Sequence, residues 1–244
     1  MLENKNRILV LGHRGAPLKE IENTLASFKR AILDGADGVE LDVRVTKDHR
    51  LVVSHDNSLK RVYGVDLKVE DSTLDEIHKV APEIPLLEDV FTSLGPIYYD
   101  IEIKADQPID YNKEVVTLLI QELEMHKEIT KNLVVSSFNP LAMRLFAKLT
   151  KNKYPMGIIY DGPPTSLPSI MRRGQGRFFF PCSFLKPKWD IAKREKKSKK
   201  KYPVCPWTVD TVDALWEMVK LNPPFIITND SEKIVRTLRE DIHR

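Results

Sequence analysis

The chain is poor in cysteine, with only Cys182 and Cys205 among 244 residues. Two thiols build no disulfide framework of the kind small secreted domains depend on, so reduced, free thiols are expected. A long apolar run is also missing. The opening MLENKNRILVLGHRG moves straight into a strand pattern, with no export signal and nothing near the ~20 apolar residues that span a bilayer. A cytoplasmic protein without stable membrane association is the expectation. Neither sign of charge dominates, since 38 Lys and Arg oppose 35 Asp and Glu for a formal net charge of +3. No nucleic-acid partner is therefore expected. Internal repeats and a second domain are absent, and nothing in the sequence addresses oligomeric state.

One run breaks the charge balance: Lys193–Lys201, KREKKSKKK. A basic run attracts nucleic acid or anionic membranes. A single run without interleaved aromatics makes a poor binding surface, however, and a solvated loop or helix end is the expectation here.

What is present centres on Gly38–Asp56, GVELDVRVTKDHRLVVSHD. Val39, Leu41, Val43 and Val45 alternate with Glu40, Asp42 and Arg44, the period of a strand with one apolar face. Leu51–His55 reads as the returning strand of a hairpin. Symmetric closure about Lys47–Arg50 would set Thr46 opposite Leu51, Arg44 opposite Val53 and Asp42 opposite His55. Glu40 and Asp42, two apart on a strand, can then address one hard cation. A solvent-facing amphipathic hairpin would show the same alternation. Two further stretches favour a site: Leu9–Gly15 ends in His13-Arg14-Gly15, and Ile97–Lys104 puts Glu102 and Lys104 on one face. Charge at strand positions is costly to bury unless paired, and a metal, a phosphate and a catalytic pair would satisfy it together.

Along the rest of the chain, strands and helices alternate. Asn23 or Thr24 caps a helix ending at Gly35, and helices over Asn112–His126, Leu141–Leu149 and Glu232–Arg239 follow their apolar spacing. The strands are expected at Ile8–Leu11, Gly38–Val45, Ile97–Lys104, Leu133–Phe138, Gly157–Asp161, Phe178–Ser183, Val204–Val209 and Phe225–Thr228. Asn57–Leu94 is irregular, with one short helix at Thr73–Lys79 and prolines at 82 and 85. About eight strand–helix units in 244 residues predict an α/β fold, a single (β/α)₈ barrel over 1–244. The returning hairpin strand is then an excursion, and 57–94 is a short insertion over the C-terminal mouth.

His13-Arg14-Gly15, Glu22-Asn23-Thr24, Gly35-Ala36-Asp37, Glu40 with Asp42, Thr46-Lys47-Asp48, His55-Asp56 and Glu102-Ile103-Lys104 resemble, in this order and spacing, the glycerophosphodiester phosphodiesterase family. Ser136-Ser137-Phe138, Trp207-Thr208-Val209 and Ile227-Thr228 extend the resemblance over essentially the whole chain. Ile21, His49, Asp210 and Asn222-Pro223-Pro224 depart from the family pattern, away from the proposed metal and catalytic residues.

The resemblance implies metal-dependent hydrolysis of a small glycerophosphodiester to glycerol 3-phosphate and an alcohol. It assigns Glu40, Asp42 and Glu102 to one divalent cation. Three carboxylates without His or Cys suit Ca²⁺ or Mg²⁺ better than zinc, with Mn²⁺ as an alternative. It makes His13 and His55 the acid–base pair, a task imidazole suits near neutral pH, and leaves open which is acid. The nucleophile, water or the neighbouring glycerol hydroxyl, is open too. Arg14 offers a planar fork and Lys104 a point charge for the phosphate. Trp207 and Phe138 fit either glycerol contact or barrel packing, and Glu22 either orients Arg14 or a histidine. His49, His78, His126 and His243 read as isolated imidazoles. In the family the insertion shapes specificity for the leaving alcohol. A lysophospholipase D-like activity would need an apolar groove, and a non-catalytic phosphodiester-binding protein would not keep both histidines.

Replacing Lys196, Lys197, Lys199, Lys200 and Lys201 by Gln is expected to leave turnover of small diesters unchanged, because only screened surface charge is lost. A tenfold fall in kcat/KM at physiological salt would instead place the run at a substrate or membrane surface.

Overall fold

The computed structural model describes residues 7–105, 109–162, 174–193 and 201–240, with only the backbone of 109–112. Most of the basic run therefore lies outside the described residues. Seven strands form one parallel sheet: β1 (Leu9–His13), β2 (Gly38–Val45), β4 (Tyr98–Ile103), β5 (Leu133–Ser137), β6 (Met156–Tyr160), β7 (Phe184–Pro187) and β8 (Phe225–Thr228). Their order is β7-β6-β5-β4-β2-β1-β8, and β3 (Leu51–Val53) pairs antiparallel with β2. Between β7 and β8 runs the segment 203–209. Its backbone bonds to Leu185 and Pro187 of β7 on one side and to Ile227 of β8 on the other, so the sheet closes on itself as a barrel.

That eighth position forms only isolated bridges, at Val204 and Trp207. Pro203 and Pro206 lack the N–H a ladder needs, so the strand expected at Val204–Val209 takes its place without becoming regular. The sixth strand is also displaced from its expected position at Phe178–Ser183. Gln175–Phe178 is a 3₁₀ turn, Phe178 and Phe179 are exposed, and the strand is Phe184–Pro187. Its low β signal came from Lys186, a charge that the barrel buries.

The hairpin closes one residue away from the expected register. Val43 pairs with Val53 and Val45 with Leu51, so Asp42 stands opposite Ser54, whose N–H donates to its carbonyl at 3.0 Å. The turn spans Thr46–Arg50, one residue more than the symmetric reading allowed. Thr46 Oγ1 donates to Asp48 at 2.6 Å and accepts the Arg50 N–H at 2.9 Å. His49 turns the chain in the left-handed region, φ 61°. His55 consequently lies past the end of β3, in a loop. The alternation in β2 does not divide core from solvent either, for all eight of its residues are buried.

Both faces of β2 are buried because a barrel has an inside. Val39, Leu41 and Val43 pack in the main core with helix residues Phe28 and Ala31. The alternate positions point into the barrel, where the interior is layered. Leu9, Leu11, Val134, Phe184, Phe225 and Ile227 form an apolar floor, and two residues further along the same strands stand His13, Ser136 and Lys186. The floor is tight at Gly38, where a Cβ would sit 1.9 Å from the Tyr98 carbonyl oxygen.

Outside the barrel, α1 (Leu25–Leu33) is capped by Thr24, which accepts from Ser27 N. The segment after β3 is more ordered than expected. It holds α2 (Lys60–Tyr63), α3 (Leu74–His78) with a Thr73–Glu76 capping box, and α4 (Leu87–Leu94), which the prolines upstream had masked as loop. Leu59, Val69, Ile77, Ala81 and Ile84 pack with Val52 as a separate small core. The longer helices are α5 (Ile109–Met125), α6 (Pro140–Leu149), α8 (Val212–Val219) and α9 (Ser231–Glu240), with α7 (Trp189–Ala192) a single turn. Among the described residues no helix is long and apolar enough to cross a membrane, and Cys182 and Cys205 are free.

Candidate functional site

Parallel pairing of β2 and β4 runs in register, Glu40 beside Asp100 and Asp42 beside Glu102. The pleat sends all four side chains into the barrel, where each is buried. Glu40, Asp42 and Glu102 each offer one oxygen, and these lie within 4.8 Å of one another. Carboxylates gathered this way repel unless cations stand between them.

Three cations do so. Lys104 Nζ lies 2.5 Å from Glu102 Oε1 and 2.9 Å from Asp42 Oδ1. Lys186 Nζ lies 2.9 Å from Asp100 Oδ2 and 3.3 Å from Glu40 Oε1, and donates to Ser136 Oγ at 3.2 Å. Arg14 Nε stands 3.4 Å from Asp42 Oδ2. Burial alone would raise the Asp42 carboxyl, but the charges of Lys104, His55 and Arg14 outweigh it and hold that carboxyl well below its ordinary value. For Lys104 and Lys186 burial disfavours the charge, and the neighbouring carboxylates overcome it and raise both.

Burial raises the Asp100 carboxyl against the pull of Lys186, and Arg14 is shared with Glu22. A divalent cation with oxygen bonds of about 2.1–2.5 Å bridges a 4.8 Å span. The donor set, three carboxylates each offering an oxygen to one centre, fits a hard divalent ion.

The histidines approach from the end of one strand and from a loop. His13 ends β1. Its Nδ1 lies 2.8 Å from Asn229 Oδ1, Asn229 Nδ2 donates to Asp210 Oδ2 at 2.8 Å, and Asp210 Oδ1 accepts from Asn229 N and Thr228 Oγ1. A carboxylate only accepts, so the amide NH₂ must face Asp210 and the amide oxygen must face His13. Nδ1 therefore carries the proton, and Nε2, 3.9 Å from Glu40 Oε2, carries the lone pair. Burial pushes the His13 imidazole below its ordinary value, against the pull of Glu40. His55 follows β3. Its Nδ1 donates to Asp56 Oδ1 at 2.6 Å, and Arg44 Nε donates to its carbonyl at 2.9 Å.

Arg14 is held in the left-handed region, φ 53°, with its N–H on the Glu40 carbonyl and its Nη1 on Glu22 Oε1 at 2.9 Å. Asn23, also at positive φ, donates to Asp42 Oδ2 at 2.8 Å. Trp207 donates its indole N–H to the Lys186 carbonyl at 3.1 Å. Its ring lies 6.4 Å from that of His13 and 6.0 Å, edge-on, from Phe138. All ten residues anticipated from the sequence thus lie on β1, β2, β4, the 203–209 segment or the loops that follow β1, β3, β4 and β5.

The remaining described histidines have ordinary partners: His49 pairs with Glu114, His78 with the Ile84 carbonyl, and His126 with Glu122 and Glu128. Sequence reasoning missed Asp100, Lys186 and the Asp210–Asn229 support. Asp100 shares its face with Glu102 and Lys104, a signal that alternation carried. Lys186 fell outside the strand expected around it, and Asn229 gave no signal beyond following Ile227-Thr228.

Residues 13–233 match the glycerophosphoryl diester phosphodiesterase family. A glycerophosphodiester phosphodiesterase of Caldanaerobacter subterraneus subsp. tengcongensis is 30% identical, over 96% of this chain and 99% of that protein. Among solved structures, a glycerophosphodiester phosphodiesterase of Thermotoga maritima is 28% identical with a TM-score of 0.75, covering 95% of this chain and 98% of that one. An Oleispira antarctica phosphodiesterase in complex with the product sn-glycerol-3-phosphate shares the fold at 20% identity, TM-score 0.77, over 95% and 96% of the chains.

Acid should loosen the mouth of this site. For Glu22 and Asp56 burial works to raise the carboxyls, but Arg61, together with Arg14 at Glu22 and His55 at Asp56, holds both below their ordinary values of 4.5 and 3.8. The unfolded chain then binds those protons first, so the stability they contribute is full above about pH 4.5 and is lost as pH falls through the lower folded values. Thermal midpoints measured from pH 6 to pH 3 should fall more steeply for wild type than for Glu22→Gln. Parallel curves would refute the linkage.

Proposed function

The chain belongs to the glycerophosphoryl diester phosphodiesterase family, and from that premise we propose that it hydrolyses glycerophosphodiesters to glycerol 3-phosphate and an alcohol, using His13 and His55 as the acid–base pair. The observation that carries the reading is the pairing of two imidazoles, each with Nδ1 committed to a supporting group, beside one buried cluster of three carboxylates. We read 1–244 as one barrel domain with 57–94 inserted over its mouth.

A phosphodiester resists hydrolysis because its charge repels nucleophiles and its leaving alkoxide is poor. Glu40, Asp42 and Glu102 would hold a divalent cation, which supplies Lewis-acid neutralisation of a phosphoryl oxygen when bound. Arg14, fixed by Glu22 and Asp42, turns its guanidinium toward the anion, a geometry suited to phosphate oxygens. Lys104 adds positive charge from beside Asp42 and Glu102. His13, with its proton fixed on Nδ1, presents the Nε2 lone pair, the atom that can take a proton from an attacking hydroxyl. His55, with Asp56 behind Nδ1, presents the Nε2 atom that completes the transfer to or from the other oxygen. Trp207 and Phe138 form an apolar wall beside His13 that fits the carbon face of glycerol.

Turnover of glycerophosphocholine should stop on chelation and return with Mg²⁺, Ca²⁺ or Mn²⁺. His13→Ala and His55→Ala should each lower kcat by on the order of a hundredfold or more, the usual scale for lost acid–base catalysis. Glu102→Gln should regain part of its rate in excess metal, and the histidine variants should not. Release of glycerol 3-phosphate is followed by coupled assay. A fully active double histidine variant would refute the acid–base roles, and binding without turnover by wild type would leave a non-catalytic phosphodiester binder.

A further inference from the structure

Arg14 and His55 reach the site from different loops, after β1 and after β3. One residue of the inserted segment joins their supports. Arg61, on α2, donates to both oxygens of Glu22, from Nη1 at 2.8 Å and Nη2 at 2.6 Å, and from Nε to Asp56 Oδ2 at 2.5 Å. Glu22 also accepts from Arg14, and Asp56 from His55. The result is an unbroken chain of hydrogen bonds, Arg14–Glu22–Arg61–Asp56–His55.

An exposed ion pair is ordinarily worth little, and the Arg61 side chain is half exposed. Here the fork is bidentate on Glu22, whose side chain is only 16% exposed, and each carboxylate is already engaged by a residue of the site. A planar guanidinium with fixed donor directions sets the separation of its two acceptors. A lysine, with one point charge, would not.

We propose that Arg61 is a positioning residue for phosphodiester hydrolysis, acting through Glu22 on Arg14 and through Asp56 on His55, so that the inserted segment carries part of the site's support. The inference rests on the phosphodiesterase reading of the site. Misplacement of a reacting group by about 1 Å costs on the order of a hundredfold in rate, so tying two loops together has a direct catalytic return. The fold does not depend on the tie. Arg44 independently anchors the His55 carbonyl and bonds Glu70 at 2.7 Å, while the insertion packs on its own core around Val52.

The test is steady-state kinetics of the full chain on glycerophosphocholine with saturating Mg²⁺, with thermal midpoints recorded alongside. Arg61→Gln should keep its midpoint within a few degrees, lower kcat about tenfold or more and raise KM severalfold, with Arg61→Lys recovering little. Non-additivity separates positioning from general damage. In an Asp56→Asn background Arg61→Gln should change kcat by less than about threefold, and in a Glu22→Gln background it should change KM by less than about threefold. Arg61→Ala should regain rate with millimolar guanidinium at unchanged midpoint. Wild-type kinetics in Arg61→Gln, or the same loss in every background, would overturn the proposal. Inactive wild-type enzyme would instead overturn the phosphodiesterase reading on which it stands.

Discussion

Like charges packed inside a barrel are the constraint on which this structure turns. The interior of a (β/α)₈ barrel is ordinarily filled by branched apolar side chains, and the floor of this one obeys that rule. Above the floor, Glu40, Asp42, Asp100 and Glu102 form a two-by-two block fixed by the register of two adjacent strands. Each buried carboxylate costs several kcal/mol in desolvation unless paired. Lys186 meets the lower pair and Lys104 the upper. Glu40, Asp42 and Glu102 keep oxygens within 4.8 Å of one another, the arrangement on which the proposed cation site rests.

The loops follow from the same requirement. Two of the residues nearest Asp42, Arg14 and Asn23, sit at positive φ, a strain that non-glycine residues bear when surrounding contacts over-determine them. Here those contacts are bonds to Glu40, Glu22 and Asp42. His13 is oriented by Asn229, which Asp210 holds in turn, and His55 by Asp56. The two imidazoles thus rest on unlike supports, a neutral amide for His13 and a carboxylate for His55. Family membership, the chemistry of the donor set and the geometry of the histidines lead to one reading, hydrolysis of a phosphodiester.

Much of this was legible in residue order. Alternation located β2 and β4, and the charges on one parity of each strand located the cluster, because strand period and pleat are fixed by the backbone. The spacing of His13, Glu40, Asp42 and His55 was enough to name a family. Register was not legible, since Thr46 decides it through hydrogen bonds with Asp48 and Arg50 that a symmetric turn does not contain. Lys186 was missed for a physical reason: a lysine flanked by proline argues against a strand until the carboxylates that stabilise its burial are known. Arg61 and Asn229 act through other side chains, and such partners are set by tertiary contact rather than by spacing.

The central claim is that the carboxylate block is a cation site and the histidines are not part of it. Calorimetric titration of metal-stripped protein with Mg²⁺, Ca²⁺ and Mn²⁺ measures this directly, for wild type, Glu40→Gln, Asp42→Asn, Glu102→Gln and His13→Ala. The account predicts one ion per chain, affinity lowered about tenfold or more by each carboxamide, as expected when a ligand oxygen's charge is removed, and affinity within a few-fold of wild type for His13→Ala. Loss of the ion in His13→Ala with retention in Glu102→Gln would contradict it, and would make imidazole a ligand.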